Sequence, residues 1–417
     1  MTGNGKDLEQ QALALIRTGI EAADPGRAVS SAMLSVVADP PRSGGVWRII
    51  ALGKAARSMA ATALRHLPNS RALVVTNSGN DAPLVRAEVL RAGHPVPDAD
   101  GEAAARRVEA RLAEAKPEDR ILALISGGGS AMLPAPVEGV SLAEKQEVNR
   151  LLLGSGADIR QTNLIRQALS RLKGGGWLRL SRAPVTALIL SDVPGDDLRV
   201  VASGPTVAPI GSFDEAVQTA RELGIWDHFP ASVQKALSRP DDRAELPEVH
   251  NILIGSNGQS VAAMVAAGAT DAGVALEGDV EACAKALVAT AARAQPGRPL
   301  VFGGETTVRL TGSGMGGRNQ ELALRFARAA AEKGLPGDWV FASVGSDGRD
   351  GPGEAAGGIV RPDTLDRIAA AGIDIEEALA DNDSTPTLAA ADGLVQTGPT
   401  GTNVADLAVF LRGAANA

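Results

Sequence analysis

Short unbroken apolar runs, each stopping at a glycine-rich polar turn, constrain this chain more than any other feature, and the sharpest is ILALISGGGSAML at residues 121–133. Runs of Val, Ile and Leu without alternation suit strands buried on both faces. Separated by helical stretches, they predict a parallel sheet covered by helices. VWRIIAL (46–52), ALVVTN (72–77), EVLRAG (88–93), residues 120–126 and PVTALILSDV (184–193) read as such strands. Two helices at about residues 6–23 and 25–38 precede them, and Asp98 or Asp100 stands where a cap is needed for the helix opening in DADGEAAARR. SLAEKQEVNRLLLGSG and DIRQTNLIRQALSRLK supply two further helical stretches.

A chain of 417 residues exceeds what one core ordinarily holds, about 250–300 residues, so two α/β domains are expected. The polar, proline-bearing stretch at 226–250 marks the boundary, giving an N-terminal domain at 1–240 and a C-terminal domain at 250–417. In the second domain NILIGS, VALE, the strand pair PLVFGGETTVRLTG, WVFASVGSDG and VADLAVFL read as strands. DVEACAKALVATAARA and RNQELALRFARAAAEKG read as helices.

Composition narrows the function. Apolar residues make up 44 % of the chain, enough for a large core, while the net charge of -8 and the lack of any basic block argue against a nucleic-acid partner. With no tyrosine, six Phe and four Trp there is little to stack on bases. Cys283 is the only cysteine, so disulfides within the chain and a cysteine-rich metal site are excluded. The N-terminal segment is amphipathic and acidic rather than a signal peptide, and no run approaches the roughly 20 apolar residues of a membrane span. The expectation is a soluble cytoplasmic protein.

The glycine turns carry the chemistry. Ser126-Gly127-Gly128-Gly129-Ser130, at the end of a buried strand, presents backbone N–H groups of the kind that cradle phosphate or carboxylate oxygens, although a ligand-free strand-to-helix turn has the same look. Similar polar turns follow other strands, and open α/β sheets bind ligands at those carboxyl ends. Lys54, in ALGKAA, stands at the start of a helix, where a cation gains nothing structurally; either an anion lies nearby or the side chain runs to solvent. Asp192 ends a strand in SDVPGDD and is placed for a general base or a metal ligand, with an Asx-turn or cap as the plain alternative. Asp197 follows as capping or metal support. Arg318, in GGRNQE, either clamps a phosphate or carboxylate or pairs with Glu321 at i+3. His94, in AGHPVPD, reads as a turn residue or a ligand contact. The four histidines lack metal-ligand spacing and no G-x-S-x-G elbow occurs, which sets aside zinc and serine-hydrolase chemistry. Asp347 and Asp350 match only half of a calcium loop.

Taken in order, ALGKAA, GHPVPD, SGGGSA, DIRQTNLIRQALSRLKGG, SDVPGDD, ASGPT, GGETTV, GGRNQE, GSDGRDGP and TGPTGTNVADL resemble the two-domain glycerate 2-kinases with a C-terminal MOFRL region, from about residue 10 to 412. The resemblance implies a Rossmann-like parallel sheet with helices on both faces, a smaller α/β domain after it, and an active site in the cleft between them. It implies ATP-dependent phosphorylation of D-glycerate at its 2-hydroxyl with Mg²⁺. Lys54, Asp192 and Arg318 match the family's proposed catalytic positions; Lys54, Ser126 and Arg318 are expected on substrate, residues 126–130 on the nucleotide phosphates, and Asp192 with Asp197 on the metal. Relatives named hydroxypyruvate reductase supply an NAD(P)H-dependent alternative. Gly312, Gly314 and Gly317 match its dinucleotide glycine spacing, after a strand expected at TTVRLT.

Overall fold

A computed structural model describes residues 3–241 and 243–413. It divides into two compact units, residues 25–254 and residues up to 24 together with 255 onward.

The unit of residues 25–254 is built on six strands: β1 (Trp47–Leu52), β2 (Arg71–Thr76), β3 (Ala87–Arg91), β4 (Arg120–Ser126), β5 (Val185–Leu190) and β6 (His250–Gly255). They lie in the order β3-β2-β1-β4-β5-β6, and the pairings from β3 through β5 are all parallel. The unalternating strands are buried as the sequence requires: Ile50, Leu52, Val75, Ala123, Ile125 and Trp177 share one core. Asp98, not Asp100, caps the helix Ala99–Ala113, accepting from the Gly101 N–H at 2.8 Å. The helices Leu142–Gly154 and Ile159–Ala168 each open with a capping box, Ser141 with Glu144 and Asp158 with Gln161.

The other unit holds β7 (Thr270–Asp271), β8 (Leu300–Gly304), β9 (Trp339–Gly345), β10 (Gly357–Val360), β11 (Leu394–Val395) and β12 (Asp406–Arg412), in the order β11-β10-β9-β12-β8-β7. β12 lies antiparallel between β8 and β9, so this sheet is mixed. Phe326 of the long helix Arg318–Lys333 stacks on Phe341 of β9 at 4.0 Å and touches Phe410 of β12, anchoring the helix to the sheet.

Several expectations are corrected. The division at 1–240 and 250–417 shifts, because β6 completes the first sheet and the helix Gly3–Ala22 belongs with the second. The physical reason is that helix's apolar stripe: Leu8, Ala12, Leu15 and Ile16 bury against Val301, Val340, Val344 and Leu407. TTVRLT forms no strand and makes only an isolated bridge, Thr307 to Asp279, and VALE contributes a bridge at Leu276. Among the described residues no helix is long and apolar enough to cross a membrane.

Candidate functional site

In the first sheet the strand order reverses between β1 and β4, the kind of switch point at whose carboxyl ends open α/β sheets bind ligands. β1 runs into Gly53, at φ +111°, and the Lys54 N–H then donates to the Gly127 carbonyl at 2.9 Å. The Ala55 N–H donates to Ser126 Oγ at 3.1 Å, and that hydroxyl donates to the Leu52 carbonyl at 3.2 Å. Ser126 is buried, so its hydroxyl fastens the two strand ends together. Gly129 has a packing reason too, since a Cβ there would lie 2.8 Å from Leu52 Cγ and 2.9 Å from Ala202 Cβ. Gly128 differs. It takes φ +81°, and a Cβ on it would stand 3.2 Å from both Lys54 Cγ and His94 Nε2, so it brings Lys54 and His94 together beside the loop.

Ser130 leads into a cationic pocket. The buried Lys173 ammonium donates to the Ser130 carbonyl at 2.6 Å, to Ser130 Oγ at 2.7 Å and to Ser203 Oγ at 3.3 Å. Ser203 donates in turn to Asn163 Oδ1 at 2.7 Å. Ala202 and Ser203 hold φ of 48° and 61°, a conformation costing on the order of 1–3 kcal/mol each, so the ASGPT turn is bent to serve this network. The pocket measures about 310 Å³, with His94, Lys145, Arg166 and Lys173 among its walls, and no carboxylate lines it among the described residues. Burial and the nearby Arg166 and Arg171 charges push the Lys145 amine down to about 7. Burial, Lys145 and Arg166 hold Lys173 well below the ordinary lysine range. Basic side chains crowded together here, Lys173 buried and Lys145 and Arg166 half-buried, are costly to charge without a counter-charge and are relieved by an anion.

Asp192, half-buried, leaves the end of β5 at the same carboxyl edge of the sheet as Lys54 and the 126–130 loop. Asp197 is otherwise engaged: Arg199 grips its two oxygens at 2.9 and 2.7 Å, and that hydrogen bonding holds its carboxyl below the usual range. Among the described residues no three His, Cys, Asp or Glu side chains gather to hold a metal.

Arg318 lies in the second unit. Gly304, Asp406 and Gly345 are in register across β8, β12 and β9, which sets Glu305 just beyond β8 and Asp406 at the start of β12. Arg318 donates through Nε and Nη2 to Asp406 at 2.6 and 2.9 Å, and through Nη1 to Glu305. Burial works against its charge, but the two carboxylates outweigh burial and hold its pKa above the ordinary value. Neither sequence reading foresees this: Glu321 binds Arg325, and three of the five guanidinium donors are already engaged. Asp350 accepts from the Asn319 and Gln320 N–H groups at 3.0 and 2.8 Å and so caps the long helix from a distant loop. Burial nevertheless pushes its carboxyl up to about 6.

The loop that matched the dinucleotide spacing has its N–H groups from Thr311 to Met315 already engaged. The N–H groups of Thr311 and Gly312 donate to Asn382, those of Ser313 and Gly314 to Asp381, and that of Met315 to Asp383. A Cβ on Gly314 would come within 2.6 Å of the Asp381 carbonyl, so these glycines serve close backbone approach to residues 381–384.

Sequence reasoning missed Lys145, Arg166 and Lys173. For Arg166 and Lys173 the available signal was DIRQTNLIRQALSRLK, where Arg160, Arg166, Arg171 and Lys173 follow Asp158 with no acid among them.

Residues 11–238 match a family described as a domain of unknown function (DUF4147), and residues 298–406 match the MOFRL family. A glycerate 2-kinase of Pyrococcus horikoshii is 36 % identical over 97 % of both chains. The crystal structure of a glycerate kinase from Thermotoga maritima superposes with a TM-score of 0.84 at 35 % identity, covering 98 % of this chain and all of that one. A protein of Agrobacterium vitis carrying a hydroxypyruvate reductase name is 37 % identical over 99 % of this chain and 96 % of its own.

Proposed function

The chain belongs to the glycerate 2-kinase family, and from that premise we propose that it transfers the terminal phosphoryl group of ATP to the 2-hydroxyl of D-glycerate, giving 2-phosphoglycerate and ADP. Its full-length likeness to glycerate 2-kinases carries the reading. The engaged N–H groups of residues 311–315 weigh against the reductase alternative, since the first two glycines of the dinucleotide spacing have no N–H left for a pyrophosphate.

Phosphoryl transfer asks for positioning and charge neutralisation more than covalent chemistry. Asp192 orients the 2-hydroxyl and takes its proton as the hydroxyl oxygen bonds to the γ-phosphorus and the bond to the β-phosphate oxygen breaks. Lys54 stabilises the charge on the transferring group, with the Gly128–Ser130 end of the loop beside it. Arg318, oriented by Asp406 and Glu305, has two guanidinium donors left for a substrate oxygen. Mg²⁺ characteristically takes one or two carboxylates plus substrate phosphates. Asp192 with the ATP phosphates would hold it, Asp197 only after surrendering Arg199, and the ion supplies neutralisation of phosphate charge. The net charge of -8 weighs against a nucleic-acid partner, and the proposal is a cytoplasmic enzyme acting on these two small molecules.

The test mixes protein, ATP, Mg²⁺ and D-glycerate, and separately NADH and hydroxypyruvate, and reads the first product by phosphorus NMR. The 2-phosphate with no NADH oxidation is expected. The 3-phosphate, or hydride transfer, would overturn the proposal.

A further inference from the structure

We infer that the pocket behind the Gly128–Ser130 loop, with Lys145, Arg166 and Lys173 in its walls, seats the donor nucleotide, its phosphates on the cations and its base on the apolar rim. The identity of the ligand rests on the kinase reading; the anionic character of the pocket rests on its own walls.

Charge comes first. Three basic side chains share this pocket with no carboxylate lining it among the described residues, and their hydrogen bonds go to neutral acceptors. Lys145 donates to the Leu169 carbonyl at 2.8 Å, Arg166 Nε to Asn149 Oδ1 at 2.8 Å, and Lys173 to Ser130 and Ser203. A single carboxylate is a poor match for that much charge, whereas a polyphosphate chain is a close one.

Size and surface agree. About 310 Å³ lies at the small end of the range of roughly 300–1,000 Å³ typical for drug-sized ligands, and far exceeds the need of a three-carbon acid. Pro95, Pro97, Val148 and Leu153 supply apolar wall, and Leu153 is 73 % exposed, an uncovered leucine at the edge of a charged cavity. That gives the chain, which has no tyrosine, an aliphatic surface for a base. Position completes the case: Lys54 and the pocket flank Gly128, so phosphates lying on Lys173 end beside Lys54.

The test uses the full chain and three variants, Lys145→Met, Lys173→Met and Leu153→Asp. Calorimetry measures binding of ATP and of inorganic tripolyphosphate, and steady-state kinetics measures KM for ATP and for D-glycerate. Both lysine variants should weaken ATP and tripolyphosphate about tenfold or more, with the glycerate KM held within about twofold. Leu153→Asp, at an exposed position that threatens no core, should weaken ATP and spare tripolyphosphate. A rise in the glycerate KM alone would give the pocket to the acid and overturn the inference, as would unchanged ATP and tripolyphosphate affinities in an active enzyme. A wild-type chain that binds tripolyphosphate in a Lys145-dependent way but never phosphorylates glycerate would sink the kinase reading and leave the phosphate site standing.

Discussion

Asp192 and Lys145 are opposite cases of how a single residue is read. An acid ending an apolar strand draws attention from the sequence alone, and Asp192→Asn, nearly isosteric, should lower kcat by about 10² to 10⁴ while leaving the thermal midpoint unchanged. Steady-state kinetics beside thermal unfolding checks this, and a folded variant with full turnover would move the proton transfer elsewhere. Lys145 gives no such signal, because a lysine on a polar helix ordinarily runs to water; only the fold turns it inward against Arg166, Arg171 and Lys173. Its amine is held to about 7 when folded and 10.5 when unfolded, so between those values the unfolded chain binds more protons and stability rises with pH. An anion beside it favours the charged form, so binding takes up a proton and affinity falls as pH rises through about 7. Calorimetric titration with tripolyphosphate at pH 6 and 8.5 should show this slope in the wild type and a shallower one in Lys145→Met, the ligand's own protonation being common to both.

At the scale of elements, the glycine runs were legible as turns but not in their purposes. SGGGS does sit at the switch point of the sheet, yet Ser126 laces β1 to β4 and Gly129 admits Leu52 and Ala202, so half of the expected cradle is architecture. Gly312, Gly314 and Gly316 admit residues 381–384, a neighbour far along the chain that no local pattern announces, and Gly317 admits Asp350. The same holds for the cap on the helix Arg318–Lys333. Gly317 has no side chain to offer, and the acceptors come from Asp350 across the fold. Asp350→Ala should cost about 1–3 kcal/mol, since it leaves buried N–H groups without acceptors. Urea denaturation measures it, and an unchanged midpoint would mean the helix start is satisfied some other way. A loop so fastened should also exchange slowly: the amides of Thr311 to Met315 are expected to be protected in hydrogen exchange without any ligand present.

At the scale of the whole molecule, the strands of the first sheet were readable because buried parallel strands are continuous apolar runs. In the second sheet β8, β9 and β12 were readable on the same ground, but not β10 and β11, which are short, nor the mixed order, because β12 inserts between strands that precede it by many residues. Domain membership also escaped the sequence, since nothing in the helix Gly3–Ala22 says which core its stripe fills. Starting the chain at residue 25 should therefore weaken the second unit and spare the first. Each large side chain lost from Leu8, Leu15 and Ile16 is worth about 1.5–3 kcal/mol. Hydrogen exchange should rise in β8, β9 and β12 and stay unchanged in β1, β4 and β5; a uniform rise would refute that independence. The same arrangement dictates an order of events on the ribosome. The helix Gly3–Ala22 emerges early with its apolar stripe already written, yet the strand it packs on, β12, is among the last described segments to be made. Residues 25–254 form one continuous stretch and have every strand of their sheet but the last residue of β6 before that happens. The nascent chain thus carries a sticky amphipathic helix alongside a finished neighbour until β12 has been made, so holdase chaperones and aggregation should compete for that helix.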